Sequence, residues 1–532
     1  MLKVCVIVDK TGTALDRLAK GVAKYHTNLN YVVLDIHPKR PDAEQLERFE
    51  REAIDADIID AQYYRSLYML RAMYPWLKDK KTILTHNNPY AIEEQKWNDV
   101  DLNVGNNNYI TKRLGEITEK PVEYVPLTVD TDFWKFNPDW QPTKNVIMVA
   151  NRIESKKGIL PVAIACADLN LHFILVGAIS DRNYLQGIMD TTGNVEFHEQ
   201  CSDEELRELY YKSSIHVCNS VDNFESGTLP ILESMLCGVP VLTRNVGHVP
   251  ELNNGENMVI LEGGSEDVIG IQEKLLEMIS SKANGTTSKQ YGAGYDLNTM
   301  RDKAWNTAKS RSFERRAYMY QKLYRQVMWP DQIPVSVVVP VNDKPEIISK
   351  CLNAIAEQTH KNLEVIVADD GDNPAVVSQY MTYVDFPVRY LNTNDDDYGL
   401  ARARNEATIA ATGDVMIYCD QRMVMEPTAI EEFLNHLAPK TWLYGNKGGK
   451  KSFVENFSCI YRDDIIRFGL FNERMTMYGG MSQELRSRAK YQGIRMEYVE
   501  SAKATPTGKS SNKNRKKQEI IKMKNRLFQM GL

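Results

Sequence analysis

No stretch of this chain is long and apolar enough to cross a bilayer. The short apolar run at its start, Met1-Leu-Lys-Val-Cys-Val-Ile-Val-Asp9, ends in Asp-Lys and reads as a first buried strand. The eight cysteines are scattered, none forms a Cys-x-x-Cys pair, and most sit in apolar strands or helices. That pattern excludes a disulfide scaffold, speaks against a zinc site and fits free thiols in a reducing cytoplasm. An excess of one charge sign is missing too. Lys and Arg number 65 against 71 Asp and Glu, a formal charge of −6, which argues against a protein that coats nucleic acid or membrane with its whole surface. What remains is a soluble globular composition over 532 residues, too long for one core and enough for three domains.

Short β-rich runs alternate with amphipathic helical ones from the start. Strands are expected at Val4–Val8, Tyr31–Asp35, Ile58–Asp60, Thr82–Thr85 and Leu102–Val104, and the alternation predicts a parallel, doubly wound sheet. A second alternating set is expected at Val146–Ala150, His172–Val176, Val195–His198, Ile215–Cys218, Val239–Thr243 and Met258–Leu261. A long charged helical region near Met300–Met328 leads to the linker Trp329-Pro-Asp-Gln-Ile-Pro334. A third beginning follows at Val335-Ser-Val-Val-Val-Pro340.

The richest stretch is Glu225-Ser-Gly-Thr-Leu-Pro-Ile-Leu-Glu233, which runs on to Cys237-Gly-Val-Pro-Val241. It reads as a strand-to-helix turn whose backbone amides can hold an anion, with Glu225 in the loop and Glu233 about two turns into the helix. Upstream, the strand Asn145–Ala150 runs into Asn-Arg152-Ile-Glu-Ser-Lys-Lys157-Gly158. A guanidinium and an ammonium at a strand's carboxyl end suit a diphosphate. In this order and spacing the residues resemble the donor half of a family-4 retaining glycosyltransferase with the two-Rossmann GT-B fold. The resemblance implies that Arg152 and Lys157 neutralise the leaving diphosphate without a metal. Amides around Gly227, Thr228 and Leu229 add donors, Glu233 accepts the ribose hydroxyls, and Glu225 orients the donor sugar. His86, just past a strand, is implied to face the cleft toward donor sugar or acceptor; the plain alternative is a histidine capping a strand end. Gly12 stands at the family's glycine-rich loop, with Thr13 where a second glycine is usual. His248 replaces the second glycine of a Gly-Gly-x-x-Glu loop in Gly247-His248-Val-Pro-Glu251 and is implied to enter the cleft as a specificity residue.

From Val335 the chain resembles a family-2 glycosyltransferase of the GT-A fold: Val365-Ile-Val-Ala-Asp369-Asp370-Gly371, then Gly399-Leu-Ala-Arg-Ala-Arg404-Asn405, then Ala411-Thr-Gly413 running to Asp420. The resemblance implies an α/β chain of GT-B halves at 1–138 (acceptor) and 139–299 (donor). A bracing helix and linker would follow at 300–332, a GT-A-like domain at 333–500 and a basic tail at 501–532. It also implies a divalent metal (Mn or Mg) in the second transferase, held by an Asp-x-Asp. Here Asp420-Gln421-Arg422 puts Arg422 where the usual metal ligand stands, and an arginine cannot coordinate a cation. The family's catalytic base is lost as well, because Gly479-Gly480-Met481-Ser482-Gln483-Glu484 carries Ser482 in its place. Glu484 is the one rescue candidate, and Asp369, Asp370, Arg404, Asp420 and Arg422 are what is left of a nucleotide site.

The leading expectation is therefore a cytoplasmic transferase that uses a nucleotide-sugar donor, UDP by prior. It has a metal-free GT-B half and a degenerate GT-A-like half that binds acceptor or partner. Two transferases acting in turn on a glycan or modified DNA base is one alternative, and a nucleotide-sugar-binding scaffold without turnover is another. The acceptor is open among glycan, protein, lipid and DNA. The tail, with Lys503, Lys509, Lys513, Arg515, Lys516, Lys517, Lys522, Lys524 and Arg526 against Glu519, is either a solvated helix or a hold for a polyanion.

Overall fold

Runs of β-branched residues separated by capped amphipathic helices build three sheets. The structure, a computed structural model, describes all residues except 1, 90–91, 94, 96, 194, 200, 222–224, 226, 281–294, 342–344, 370–373, 382–383, 394–398, 450, 476–479 and 508–532. Asp370, Gly371, Gly479 and the tail lysines and arginines from Lys509 to Arg526 lie outside the described residues. Contacts divide the chain into two compact units: Cys5–Tyr25 with Val32–Ala317, and Met1–Val4 with His26–Tyr31 and the chain from Tyr318 on.

The first sheet contains β1 (Lys3–Val8), β2 (Asn30–Asp35), β3 (Ile58–Ala61), β4 (Lys81–His86), β5 (Leu102–Gly105) and β6 (Val122–Tyr124), in the order β2-β1-β3-β4-β5-β6. From β3 to β6 neighbours pair in parallel. The second contains β7 (Asn145–Ile153), β8 (His172–Ile179), β9 (Val195–His198), β10 (Ile215–Cys218), β11 (Val241–Arg244) and β12 (Val259–Leu261). Its order β12-β11-β10-β7-β8-β9 and parallel pairing are the doubly wound dinucleotide arrangement. Apolar clusters cover both of its faces, as a parallel sheet requires. Two α/β sheets in succession, the first with its own order, make the GT-B fold.

Three details depart from the sequence reading. Val122–Tyr124, not among the expected strands, is an edge strand. β7 runs three residues further than expected, through a register shift between Val149 and Arg152, with Asn151 at φ 44°. The region expected as one helix over Met300–Met328 is two, Leu297–Lys309 and Phe313–Met328. Between them Arg311 accepts from the Val129 amide at 3.0 Å.

That break is where the segment braces the first half. Arg316, 2% exposed, donates to the Pro126 carbonyl at 2.8 Å, and Phe313 lies so close to Gly21 that a Cβ there would sit 2.3 Å from its ring. A second tie joins the two sheets. Glu251, after β11, accepts from the Asn108 amide with one carboxylate oxygen and from the Tyr124 hydroxyl with the other. Arg311 donates to the same hydroxyl at 3.0 Å. Burial and the Glu251 carboxylate push the Tyr124 phenol up to about 12, so it remains a donor at neutral pH.

In the other unit, β13 (Val335–Val341), β14 (Leu363–Asp369), β15 (Val388–Asn392) and β16 (Val415–Cys419) form a parallel set. It continues through β17 (Met423–Met425), β18 (Thr441–Asn446), β19 (Phe457–Tyr461) and β20 (Arg495–Pro506) into a mixed eight-stranded sheet ordered β15-β14-β13-β16-β19-β18-β20-β17. β20 carries the sheet past residue 500, so residues 501–506, Lys503 among them, are strand and not tail.

Removing the Glu251 carboxylate leaves a half-buried hydroxyl and an exposed helix-terminal amide without this acceptor, at a cost of about 1 kcal/mol. Glu251→Ala is expected to lower the Tm by about 2–4 °C per kcal/mol lost; an unchanged calorimetric Tm would show that this tie contributes nothing.

Candidate functional site

Parallel strands deliver their carboxyl ends, and the N-termini of the helices that follow, to one edge of each sheet. In the first half that edge carries Gly12 (φ 79°), whose turn lets its amide reach Asp16 Oδ2 at 2.8 Å, and Thr13, which caps the helix Ala14–Ala23. In the second half it carries Gly227 and Thr228, ahead of the helix Leu229–Cys237. Thr228 makes no side-chain cap bond, so the first-turn amides of that helix have no side-chain acceptor from its N-cap.

Two cavities lie along this edge and share Ala14, Leu18 and Leu229 as lining. The larger, about 410 Å³, is lined by charged groups: Arg17 and Lys20 from the first half, Asp130 from the segment after β6, and Asp203, Glu204 and Glu233 from the second half. The smaller, about 270 Å³, includes Gly227 in its wall, where a Cβ would sit 2.3 Å from Leu127 and 2.9 Å from His248. Only glycine fits there.

Glu233 sits just over one turn into its helix, not two, because the helix starts at Leu229. It is 7% exposed and accepts from Tyr210 at 3.3 Å. Burial is the main force raising its carboxyl, to about 7, with Arg17 opposing and Asp203 adding to it. Arg17 is held by Asp203 at 3.0 Å and Lys20 by Asp16 at 2.8 Å. Both cations were missed in the sequence. The signal was present, in a helix beginning at the Gly12-Thr13 turn whose first and second turns carry basic residues.

The expected cationic pair is arranged differently. Lys157 is buried and ion-paired with Glu225, which also accepts from Ser220 at 2.9 Å. Arg152 lies on the β7 irregularity with its side chain 62% exposed, 3.5 Å from Glu154, and lines neither cavity. The bulge, invisible to residue spacing, turns it outward.

His86 does not face the cleft. It is fully buried, its Nε2 is 2.8 Å from Asn103 Oδ1, and burial lowers its pKa. Alternation along the strand brings its neighbours Thr85 and Asn87 to the small cavity instead. His248 is 1% exposed, and burial pushes it down to about 3, so it is a neutral ring packed under Gly227 and not a lining residue of either cavity.

In the third sheet Asp369 ends β14 and accepts from Tyr390 at 2.7 Å, so its carboxylate is tied to the next strand. Arg404 is 1% exposed and pairs with Glu455 at 3.0 Å; Ser482 donates to the other Glu455 oxygen at 2.5 Å. Burial opposes the Glu455 charge, yet Arg404 and Ser482 hold its carboxyl below the ordinary range. Glu455 was missed, because only tertiary contact links it to Ser482. Glu484, the rescue candidate, is buried against Arg488, with Oε1 2.9 Å from Nε.

The residues at Asp420 do not fit a divalent metal. Asp420 accepts from the Arg422 amide at 3.1 Å. Lys447, largely buried and donating to Asn456 at 2.7 Å, feels both Glu455 and Asp420; burial lowers its ammonium to about 8, and those two carboxylates oppose the fall. An ammonium thus lies close to the carboxylates that a cation would need. Among the described residues no cluster of three or more His, Cys, Asp or Glu is arranged to hold a metal ion.

Residues 130–292 match the family Glycosyl transferases group 1, and residues 336–441 match Glycosyl transferase family 2. The chain carries one domain of each family. Curated relatives resemble short stretches of it. Glycosyltransferase GlyG of Streptococcus pneumoniae is 29% identical over 108 residues, 20% of this chain and 36% of that protein. The Escherichia coli UDP-Glc:alpha-D-GlcNAc-diphosphoundecaprenol beta-1,3-glucosyltransferase WfgD is 25% identical over 118 residues, 22% of this chain and 46% of that protein. The chain thus spans less than half the length of either. The Anabaena protein HepE, solved with UDP-glucose, covers 61% of this chain with 99% of its own, at 15% identity and a TM-score of 0.47. No helix among the described residues is long and apolar enough to cross a membrane.

The group 1 domain makes its own pH test. The unfolded Glu233 carboxyl releases its proton near the ordinary value, the folded one only near 7. Between those pH values the folded state holds the extra proton, so stability falls as pH rises. Glu233→Gln should remove that slope, its Tm gaining on the parent's between pH 5 and 7.5; parallel Tm curves would show that the carboxyl is not raised.

Proposed function

We propose that the chain is a glycosyltransferase whose group 1 half moves a sugar from a nucleotide diphosphate sugar, UDP-linked, to an acceptor hydroxyl. The observation that carries this reading is the 410 Å³ cavity, where buried Glu233 and the Leu229 helix N-terminus lie with Arg17 and Lys20. A nucleotide diphosphate sugar asks for those groups together: a carboxylate for ribose hydroxyls, and amides with cations for the diphosphate.

In this reading Glu233 accepts the ribose hydroxyls. The amides from Gly227 to Leu229 and the cations Arg17, Arg152 and Lys157 take the diphosphate, Lys157 being exchanged from Glu225 as the phosphate arrives. Glu225, so released, orients sugar hydroxyls. The bond from the anomeric carbon to the diphosphate oxygen breaks while the acceptor oxygen bonds to the same face. The acceptor proton passes to the leaving phosphate, so configuration is retained and no metal takes part. His86 is withdrawn from the catalytic set, since its ring is buried behind Asn103.

The family 2 half is proposed to be non-catalytic and to hold acceptor or partner. Its base position is a serine bound to an ion-paired carboxylate, and a carboxylate lowered by Arg404 is a poor proton acceptor at neutral pH. Bifunctional action would need Glu455 freed from Arg404.

Calorimetric titration of the full chain with UDP, with Mn²⁺ and then with chelator, tests both halves. One metal-independent site is expected, weakened about tenfold or more in Glu233→Ala and in Arg152→Ala and unchanged in Asp420→Ala. A second site that survives Glu233→Ala and is lost in Asp420→Ala would replace this reading with two working transferases.

A further inference from the structure

The third sheet carries a cation of its own at the edge where its strands end. β16 and β18 both pair antiparallel with β19, so the two run in one direction and bring their carboxyl ends to the same edge. β14, parallel to β13 and through it to β16, ends there as well, at Asp369. Asp420 follows β16 at that edge, Lys447 follows β18, and Asn456 precedes β19 between them. The Cys419–Phe457 register continues by one step, with the Asp420 amide donating to the Asn456 carbonyl at 2.8 Å. Asp420 and Asn456 are therefore cross-strand neighbours, with side chains on one face. Lys447 reaches over to that pair and donates to Asn456 Oδ1 at 2.7 Å. Its ammonium is largely buried, within the field of both Asp420 and Glu455.

The charges here close without a metal. Glu455 has both oxygens engaged, one by Arg404 at 3.0 Å and the other by Ser482 at 2.5 Å. One Asp420 oxygen accepts from the Arg422 amide at 3.1 Å. Two carboxylates, Asp420 and Glu455, thus face one guanidinium, Arg404, and one ammonium, Lys447. A divalent ion entering beside Asp420 would meet a like charge at short range in a poorly solvated place.

We infer that Lys447 is the resident cation of the family 2 half: its ammonium holds the charge-balancing place beside Asp420 that the family gives to a divalent metal ion, and so shuts that ion out. An acceptor or partner held by this half is then bound without a metal. A Mn²⁺ or Mg²⁺ site uses only one or two carboxylates and keeps several waters. Asp420 with Asn456 Oδ1 meets that requirement once the ammonium is gone, so a single side chain separates this edge from a metal site. The inference rests on the family 2 match and on the geometry of this sheet, and is independent of where the donor lies.

The test is Mn²⁺ uptake by the full chain, followed by loss of the free-ion electron paramagnetic resonance signal, with no nucleotide present. The parent chain and Lys447→Arg, which keeps the charge, should take up no stoichiometric Mn²⁺ at about 1 mM free ion. Lys447→Met should take up one ion per chain, about tenfold or more tighter than any residual uptake by the parent. Adding Asp420→Asn to Lys447→Met should abolish that uptake. One Mn²⁺ bound by the parent and lost in Asp420→Asn would overturn the inference. So would folded Lys447→Met and Lys447→Gln chains that take up no more than the parent. If neither neutral variant folds, Asp420→Asn should restore folding to Lys447→Met, because both members of the charge pair are then gone; failure to restore it would overturn the pairing. None of these readouts involves UDP, so a failure here leaves the group 1 reading standing.

Discussion

Everything at the site depends on strand polarity. A parallel sheet sends every carboxyl end, and every following helix N-terminus, to the same edge, so residues distant in sequence meet there without any contact having to select them. Gln62, Asn87 and Asn106 are neighbours because β3, β4 and β5 are neighbours. Gly227 and Asn151 reach the same cavity because β10 and β7 pair in the second sheet. The Glu251 tie and the Arg311–Arg316 brace then hold the two edges together, and the wall of each cavity takes residues from both.

Charge within this frame is sorted by burial. Lys157 lies in a desolvated place and is neutralised by Glu225, since a buried ammonium without a partner costs far more than the pairing yields. Arg152 keeps its charge by staying in water. Glu233 has no direct cation partner and rises toward neutrality of the carboxyl. The same rule governs the third sheet, where Arg404, Glu455 and Ser482 form a closed set and Lys447 sits between two carboxylates.

Much of this was legible in the residues. Eleven strands of the first two sheets were placed to within a few residues because β-branched runs bounded by turns have few other solutions, and the β14 strand ending in Asp369 was equally plain. Leu229 lines both cavities, Gly227 the smaller and Glu233 the larger, because a helix start fixes their relation locally. His86 and His248 were misread for one reason. Strand alternation and a packing contact decide which way a ring points, and neither is readable from the residue type. Glu484 is paired with its i+4 neighbour Arg488 on the helix.

The sequence by itself determined the order of elements, the two doubly wound sheets and the third sheet's parallel start. These follow from periodicity and local sterics, which act over a few residues. Only the tertiary structure decided which carboxylate each cation meets: Lys157 with Glu225, Arg17 with Asp203, Arg404 with Glu455. It alone showed that Gln62, Asn87 and Asn106 line one cavity while Arg152 is largely exposed. Pairings of that kind depend on strand order, on a bulge in β7 and on burial, and none of these is a property of any one segment of chain.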